Sequence, residues 1–208
     1  MISDEEINMN FEIILATNNK HKLEEVRSIL APHGIVVYGL KDLNLKPEEV
    51  IEDGKNYYEN ALKKALSVAK LVNMPIIADD SGLEILSLDN KPGLYSARYA
   101  ESMGGHINAI KQIIVDLKDK DKTARFVCDI VLVNIEKEPL LFEGIAEGYI
   151  ADKIDGEGGF GYDPIFIDKE TNITFARLGN EVKNKISHRG KALKKLLTYL
   201  LVNGYINH

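Results

Sequence analysis

The chain is most informative first for what it has little of. It holds one cysteine among its 208 residues, Cys128. One thiol closes no intramolecular disulfide, and no second Cys is present to build a thiolate metal site. Cys128 lies in the apolar run Phe126 to Ile135, where a small buried residue is the simplest reading. No apolar stretch approaches the ~20 residues of a membrane helix. Met1 to Asn10 is polar and has no apolar core of a signal peptide, so a reduced, soluble, cytoplasmic protein with no membrane partner is expected. Excess positive charge is also missing: the formal net charge is −6, which gives the surface no footprint for DNA or RNA. A small anionic ligand remains open if lysines and arginines gather locally. G-x-S-x-G and H-E-x-x-H are absent, which removes support for acyl transfer on a serine elbow and for zinc proteolysis.

What is present is ordinary for a folded domain, with 45% hydrophobic and 28% charged residues. Residues 11–208 read as one domain and residues 1–10 as a flexible extension. Phe11 to Ala16 is a short apolar run, a buried strand leaving into Thr17-Asn18-Asn19. Leu23, Val26, Ile29 and Leu30 follow at helical spacing and stop before Pro32 and Gly34. Ile35 to Tyr38 is a second strand, and Lys41 to Asn56 is a loop. Tyr57 to Val72 is an amphipathic helix. Pro75 to Ala78 is a strand ending at Asp79-Asp80-Ser81-Gly82, with Leu83 to Leu86 resuming it beyond a kink. His106 to Leu117 is a helix. Phe126 to Ile135 and Leu140 to Ile150 pair as long antiparallel strands. Gly156 to Gly161 is a loop, and the last helix starts near Glu181 or Ile186. This order predicts an α/β domain around a mixed sheet, with the active site where strand-end loops gather.

Chemistry concentrates in a few segments. Thr17-Asn18-Asn19-Lys20-His21-Lys22 joins a strand to a helix, where free N–H groups and the helix dipole favour an anion; a solvated helix start is the simpler account. Asp79 and Asp80 at a strand end need compensation by a divalent cation, or serve a turn or cap. Strand alternation sends one of the two into the site and the other elsewhere. Asn60 and Lys64 share a helix face, either toward a bound phosphate or toward solvent. Gly159-Phe160-Gly161-Tyr162-Asp163 lets a flat ligand approach a ring, with a carboxylate nearby to accept a base N–H. Lys183, His188 and Arg189 suit phosphate, or donors aimed at a carbonyl oxygen.

Together these segments resemble the inosine/xanthosine triphosphate pyrophosphatase family, the HAM1-like or RdgB-like proteins. T-x-N-x-x-K (Thr17 to Lys22), D-D-S-G (Asp79 to Gly82), G-F-G-Y-D-P (Gly159 to Pro164) and S-H-R (Ser187 to Arg189) carry the resemblance in order, with Pro92 to Tyr99 like the family's P-G-x-Y-S-A-R-Y. The resemblance implies an elongated two-lobed fold with the nucleotide in the cleft between lobes, and a homodimer. It implies hydrolysis of ITP, dITP and XTP to the monophosphate and pyrophosphate. Asp80 would be the catalytic carboxylate, with Asp80 and Glu52 holding Mg²⁺. The segment Thr17, Asn18, Asn19, Lys20, His21, Lys22 and Lys64 would hold the triphosphate, and Ser81 would touch the nucleotide. Phe160 would stack on the purine beside Gly161, Tyr162 and Asp163, with Lys183, His188 and Arg189 contacting phosphate or base. Asp53 follows Glu52 where many members have Thr, and Val182 precedes Lys183 where an acid is common, so Asp53, Glu59 and Lys185 are possible substitutes. A broader nucleotide pyrophosphatase and a non-catalytic nucleotide binder are the competing readings.

Overall fold

The computed structural model describes residues 10–207; most of the 1–10 extension lies outside the described residues. A seven-stranded mixed sheet runs in the order β2-β1-β3-β5-β6-β7, with β4 paired to β3. Its parallel part is β2 (Ile35–Gly39), β1 (Phe11–Leu15) and the start of β3 (Ile76–Ile85). Its antiparallel part is β3, β5 (Thr123–Val133), β6 (Leu140–Ile150) and β7 (Phe166–Asp168). β4 (Lys91–Pro92) is a two-residue strand.

Three apolar clusters bury the sheet. On one face Ile13, Leu15, Ile77, Cys128 and Ile130 meet α1 (Lys20–Leu30) and α6 (His188–Val202). Further along, Leu83, Phe126, Phe166 and Phe175 pack with α4 (His106–Asp116). On the opposite face α2 (Tyr57–Ala69) lays Ala61, Ala65 and Val68 over Ile14, Ala78 and Val131. Gly144 lets α6 approach β6 closely, since a Cβ there would collide with the His188 carbonyl oxygen. Among the described residues no helix is long and apolar enough to cross a membrane.

Two expectations are corrected. β3 does not stop at Asp79: it continues unbroken to Ile85 because β5 pairs with it along its whole length, Ile76 opposite Val133 through Ile85 opposite Ala124. Hydrogen bonding from a full-length neighbour overrides the weak strand preference of Asp and Gly. The last helix is two, α5 (Asn180–Ile186) and α6, broken where extended Ser187 accepts the Gly190 N–H and caps α6. Ser96–Ser102 forms a short helix, α3, that buries Ser96 and Ala100 and leaves Ala97 and Arg98 exposed, with Tyr95 exposed just before it.

Candidate active site

β1 runs beside β3 only as far as Leu15 opposite Ile77, after which the Ala16 N–H donates to the Ile77 carbonyl. β4 takes up that edge of β3 again at Glu84. Between the two, residues Ala78 to Leu83 carry no strand on that side, and a cleft opens there. Beside this cleft Gly82 lets Gly93 and Tyr57 pack directly against β3, because a Cβ at that position would overlap the Gly93 carbonyl oxygen and the Tyr57 hydroxyl.

Inside an unbroken strand, Asp79 and Asp80 face opposite sides of the sheet. Asp79 points to the α1/α6 side and is buried. Arg189 donates to its Oδ2 through Nε and NH2 at 3.2 and 3.0 Å, and Lys22 Nζ lies 3.2 Å from the same oxygen. Burial opposes ionisation of Asp79, but Lys22, Arg189 and Lys64 outweigh it and hold the carboxyl well below its usual range.

Asp80 points to the α2 side. Asn60 Nδ2 donates to its Oδ2 at 3.2 Å, and Lys64 Nζ stands 3.9 Å from its Oδ1. Lys64 also lies 2.8 Å from Glu52 Oε1. The four-residue spacing of Asn60 and Lys64 aims both at one carboxylate. Asn60 is itself buried and fixed, its Oδ1 accepting the Gly54 N–H at 2.8 Å. Asn56 caps α2 through the Glu59 N–H, which sets the helix start that places both residues. Burial pushes Asp80 up to about 6 against the pull of Lys64 and Lys22, with Glu52 adding to the rise. A carboxylate so placed is a competent proton acceptor near neutral pH.

The other end of the cleft is aromatic. Phe160 stands between two lysine-lined spaces: Lys183 Nζ lies 4.8 Å from its ring centroid, while the His21 ring stacks on it at 5.4 Å and 12°. Asp163 Oδ2 accepts from the Phe160 N–H at 2.9 Å and from Lys183 at 2.7 Å. Burial raises the Asp163 carboxyl, with Lys183 opposing it. The Tyr162 hydroxyl donates to the Ser96 carbonyl at 2.6 Å, and Ser96 Oγ in turn accepts the Leu83 N–H. His188 is buried against Phe126 at 4.5 Å, and its Nδ1 has no hydrogen-bond partner among the described residues. Burial, with Arg189 and Lys183 close by, pushes its pKa well below the usual value, so it is neutral.

One cleft thus gathers Asn19, Lys22, Glu52, Lys64, Asp80 and Ser81 at its polar end, with Phe160, Gly161, Tyr162, Asp163, Lys183, His188 and Arg189 toward the other. Thr17 shapes the loop instead, its Oγ1 accepting the Asn19 N–H, while Asn19 caps α1 through the Lys22 N–H. Asn18 and Lys20 are exposed outside the cleft, and His21 faces the neighbouring cavity behind Phe160. Among the named substitutes, Asp53 pairs with Lys63, Glu59 accepts the Lys55 N–H, and Lys185 lies near Glu181, so none of the three reaches the cleft.

Arg189 lines the cleft, but its guanidinium is engaged by the protein's own groups. It is 1% exposed, and besides Asp79 it donates to Glu25 Oε2 at 3.0 Å and Ser81 Oγ at 3.2 Å. Its guanidinium is a structural clamp joining α6, α1 and β3. Glu25, missed from sequence, also faces Lys183 at 3.7 Å. Its signal was available: Glu25 sits three residues after Lys22 and four before Ile29, on the inward side of α1. Two further residues line the cleft: Ser96, from the Pro92 to Tyr99 block, and His106, which lies in none of the blocks.

Residues 13–199 match the model of the Ham1 family. The chain is 47% identical over 188 residues to the dITP/XTP pyrophosphatase of Bacillus subtilis (strain 168), covering 89% of this chain and 94% of that protein. It is 42% identical over 189 residues to the dITP/XTP pyrophosphatase of Thermus thermophilus, covering 89% and 90%. Among solved structures, the Staphylococcus aureus Ham1 protein superposes with a TM-score of 0.79 at 39% identity, covering 91% of this chain and 97% of that one. A Ham1 protein from Coxiella burnetii gives 0.79 at 37% identity, covering 91% and 98%.

Proposed function

This chain belongs to the Ham1 family, and from that premise we propose that it hydrolyses the deaminated purine triphosphates ITP, dITP and XTP to the monophosphate and pyrophosphate. One observation carries the reading. A single cleft joins a raised carboxyl, Asp80, flanked by two ammonium groups, to a ring, Phe160, with polar groups at its edge. A nucleoside triphosphate has the same two ends.

At the polar end Lys22 and Lys64 are already balanced by Asp79, Asp80 and Glu52. A polyanionic substrate entering there needs further positive charge. Glu52 and Asp80, both within reach of the Lys64 ammonium, suit Mg²⁺, which takes one or two protein carboxylates and completes its shell with water and phosphate oxygens. These two residues would hold it, and when bound it would neutralise charge on the phosphates and polarise the reacting phosphoryl group.

The rest is work for the chain's own groups. Asn60 holds Asp80 Oδ2 and leaves Oδ1 to orient a water and accept its proton as the water oxygen bonds to the α-phosphorus. The bond from that phosphorus to the α–β bridging oxygen breaks, and pyrophosphate leaves. Lys22 and Lys64 stabilise charge gathering on the leaving oxygens, and the α1 N-terminus adds N–H donors. Phe160 stacks on the purine, and the buried wall of Asp163, Lys183 and neutral His188 meets its polar edge. A site built to pair with a C6 carbonyl rejects adenine by leaving its own groups unpaired. Family membership supports a homodimer in the cytoplasm as part of the same proposal, with sedimentation and cell fractionation as its measurements.

The deciding assay is pyrophosphate release from ITP, XTP, GTP and ATP, with Mg²⁺ and with the metal chelated, for the wild type and Asp80→Asn. The proposal expects ITP and XTP to be cleaved far faster than ATP and GTP, and a folded, inactive variant. An Asp80→Asn protein with full activity would remove Asp80 from the mechanism.

A further inference from the structure

His106 opens α4 and belongs to none of the motifs that marked the cleft. Gly104 and Gly105 precede it with φ of 78° and 123°, left-handed backbone that glycine adopts without strain. This turn sets the first residue of α4 at the cleft, on the same wall as Tyr162. The His106 ring meets Tyr162 edge-on, with centroids 5.1 Å apart and planes at 77°. A Cβ built on Gly161 would lie 3.6 Å from His106 Nε2, so the imidazole edge lies against the turn that presents Phe160.

The other polar groups at this end are occupied or deep. The Tyr162 hydroxyl is held by the Ser96 carbonyl, Asp163 Oδ2 by Lys183 and the Phe160 N–H, and His188 is buried under Phe126. His106 is on the exposed rim. Burial lowers its pKa, against the pull of Asp163 and Glu101, so at neutral pH it carries one N–H donor and one acceptor. On a purine, C6, N1 and C2 follow one another along one edge. With C6 against the deep wall of His188 and Lys183 and N1 toward Asp163, C2 falls at the rim.

We propose that His106 is a specificity residue that contacts the C2 edge of the bound purine and donates to the C2 carbonyl of xanthine, where hypoxanthine presents only C–H. This rests on the cleft being a purine triphosphatase site. The test is kcat/KM for XTP and ITP, together with competitive inhibition by inorganic tripolyphosphate, in the wild type, His106→Ala and His106→Gln. The XTP/ITP ratio falls roughly three- to tenfold in His106→Ala, the worth of one neutral hydrogen bond. It recovers in part in His106→Gln, whose amide restores a donor. Inhibition by tripolyphosphate, which lacks a nucleoside, stays the same in all three proteins. An unchanged ratio overturns the proposal, as does an equal weakening of tripolyphosphate, which would place His106 at the phosphate end. A wild type that cleaves neither XTP nor ITP refutes the reading of the cleft itself and takes this proposal with it.

Discussion

Replacing Arg189 with Met removes a guanidinium that makes four hydrogen bonds, two to Asp79 and one each to Glu25 and Ser81. Both carboxylates it serves are buried. Among the described residues, the cations left within 4 Å are Lys22, 3.2 Å from Asp79, and Lys183, 3.7 Å from Glu25 and already engaged with Asp163. Removing one partner from a buried ion pair costs about 3–5 kcal/mol, because the remaining charge is left uncompensated. The residual lysines reduce this toward the lower figure, so a loss of about 3 kcal/mol is expected at pH 7, read from urea unfolding with an unchanged m-value. The pH dependence follows from Asp79. Its folded pKa is held below the unfolded value, so its contribution is present above pH ~4 and is lost as pH falls toward the folded value. Without Arg189 that carboxyl protonates at higher pH, and the gap between the two proteins narrows as the solution is acidified. Adding Asp79→Asn to Arg189→Met recovers part of the loss, which a double-mutant cycle measures directly. A loss under about 1 kcal/mol at pH 7, paired with a large rise in KM for ITP, would refute the clamp and return Arg189 to the substrate.

Asp129 is 5% exposed, its Oδ1 has no hydrogen-bond partner among the described residues, and burial with the neighbouring Glu143 pushes its carboxyl from 3.8 up to about 7. Ionising Asp129 in the folded state therefore costs stability, a cost that is absent below pH ~4, grows up to pH 7 and is full above it, so Asp129→Asn stabilises at pH 8 and by nothing measurable at pH 4; equal gains at both pH values would contradict the assignment. Gly144→Ala drives a Cβ into the His188 carbonyl and the Ala192 N–H, and a loss of about 1–3 kcal/mol follows from forcing α6 off β6. Thermal unfolding reads it as a Tm lower by roughly 2–4 °C for each kcal/mol in a chain of this size; an unchanged Tm would mean that α6 does not sit so tightly on the sheet.

Much of the chain was legible without coordinates because its signals are local. The apolar runs at Phe11 to Leu15 and Leu140 to Ile150, and the helical spacing of Leu23, Val26 and Leu30, depend on periodicity alone. The blocks around Lys22, Asp80, Phe160 and His188 could be grouped as one nucleotide site because their residue types suit one ligand. Three things were decided only by packing. β3 runs through Asp79-Asp80-Ser81-Gly82 because β5 pairs with every residue of it, a contact about fifty residues away that no local propensity reports. Strand alternation already puts Asp79 and Asp80 on opposite faces, but only the groups packed on each face give them opposite pKa shifts, although the two residues are identical and adjacent. Arg189 is a buried clamp because Glu25 and Asp79 converge on it from α1 and β3. The sequence by itself determined which residues carry charge, ring and amide; the tertiary structure decided which of those charges are cancelled by a partner and which remain for a ligand.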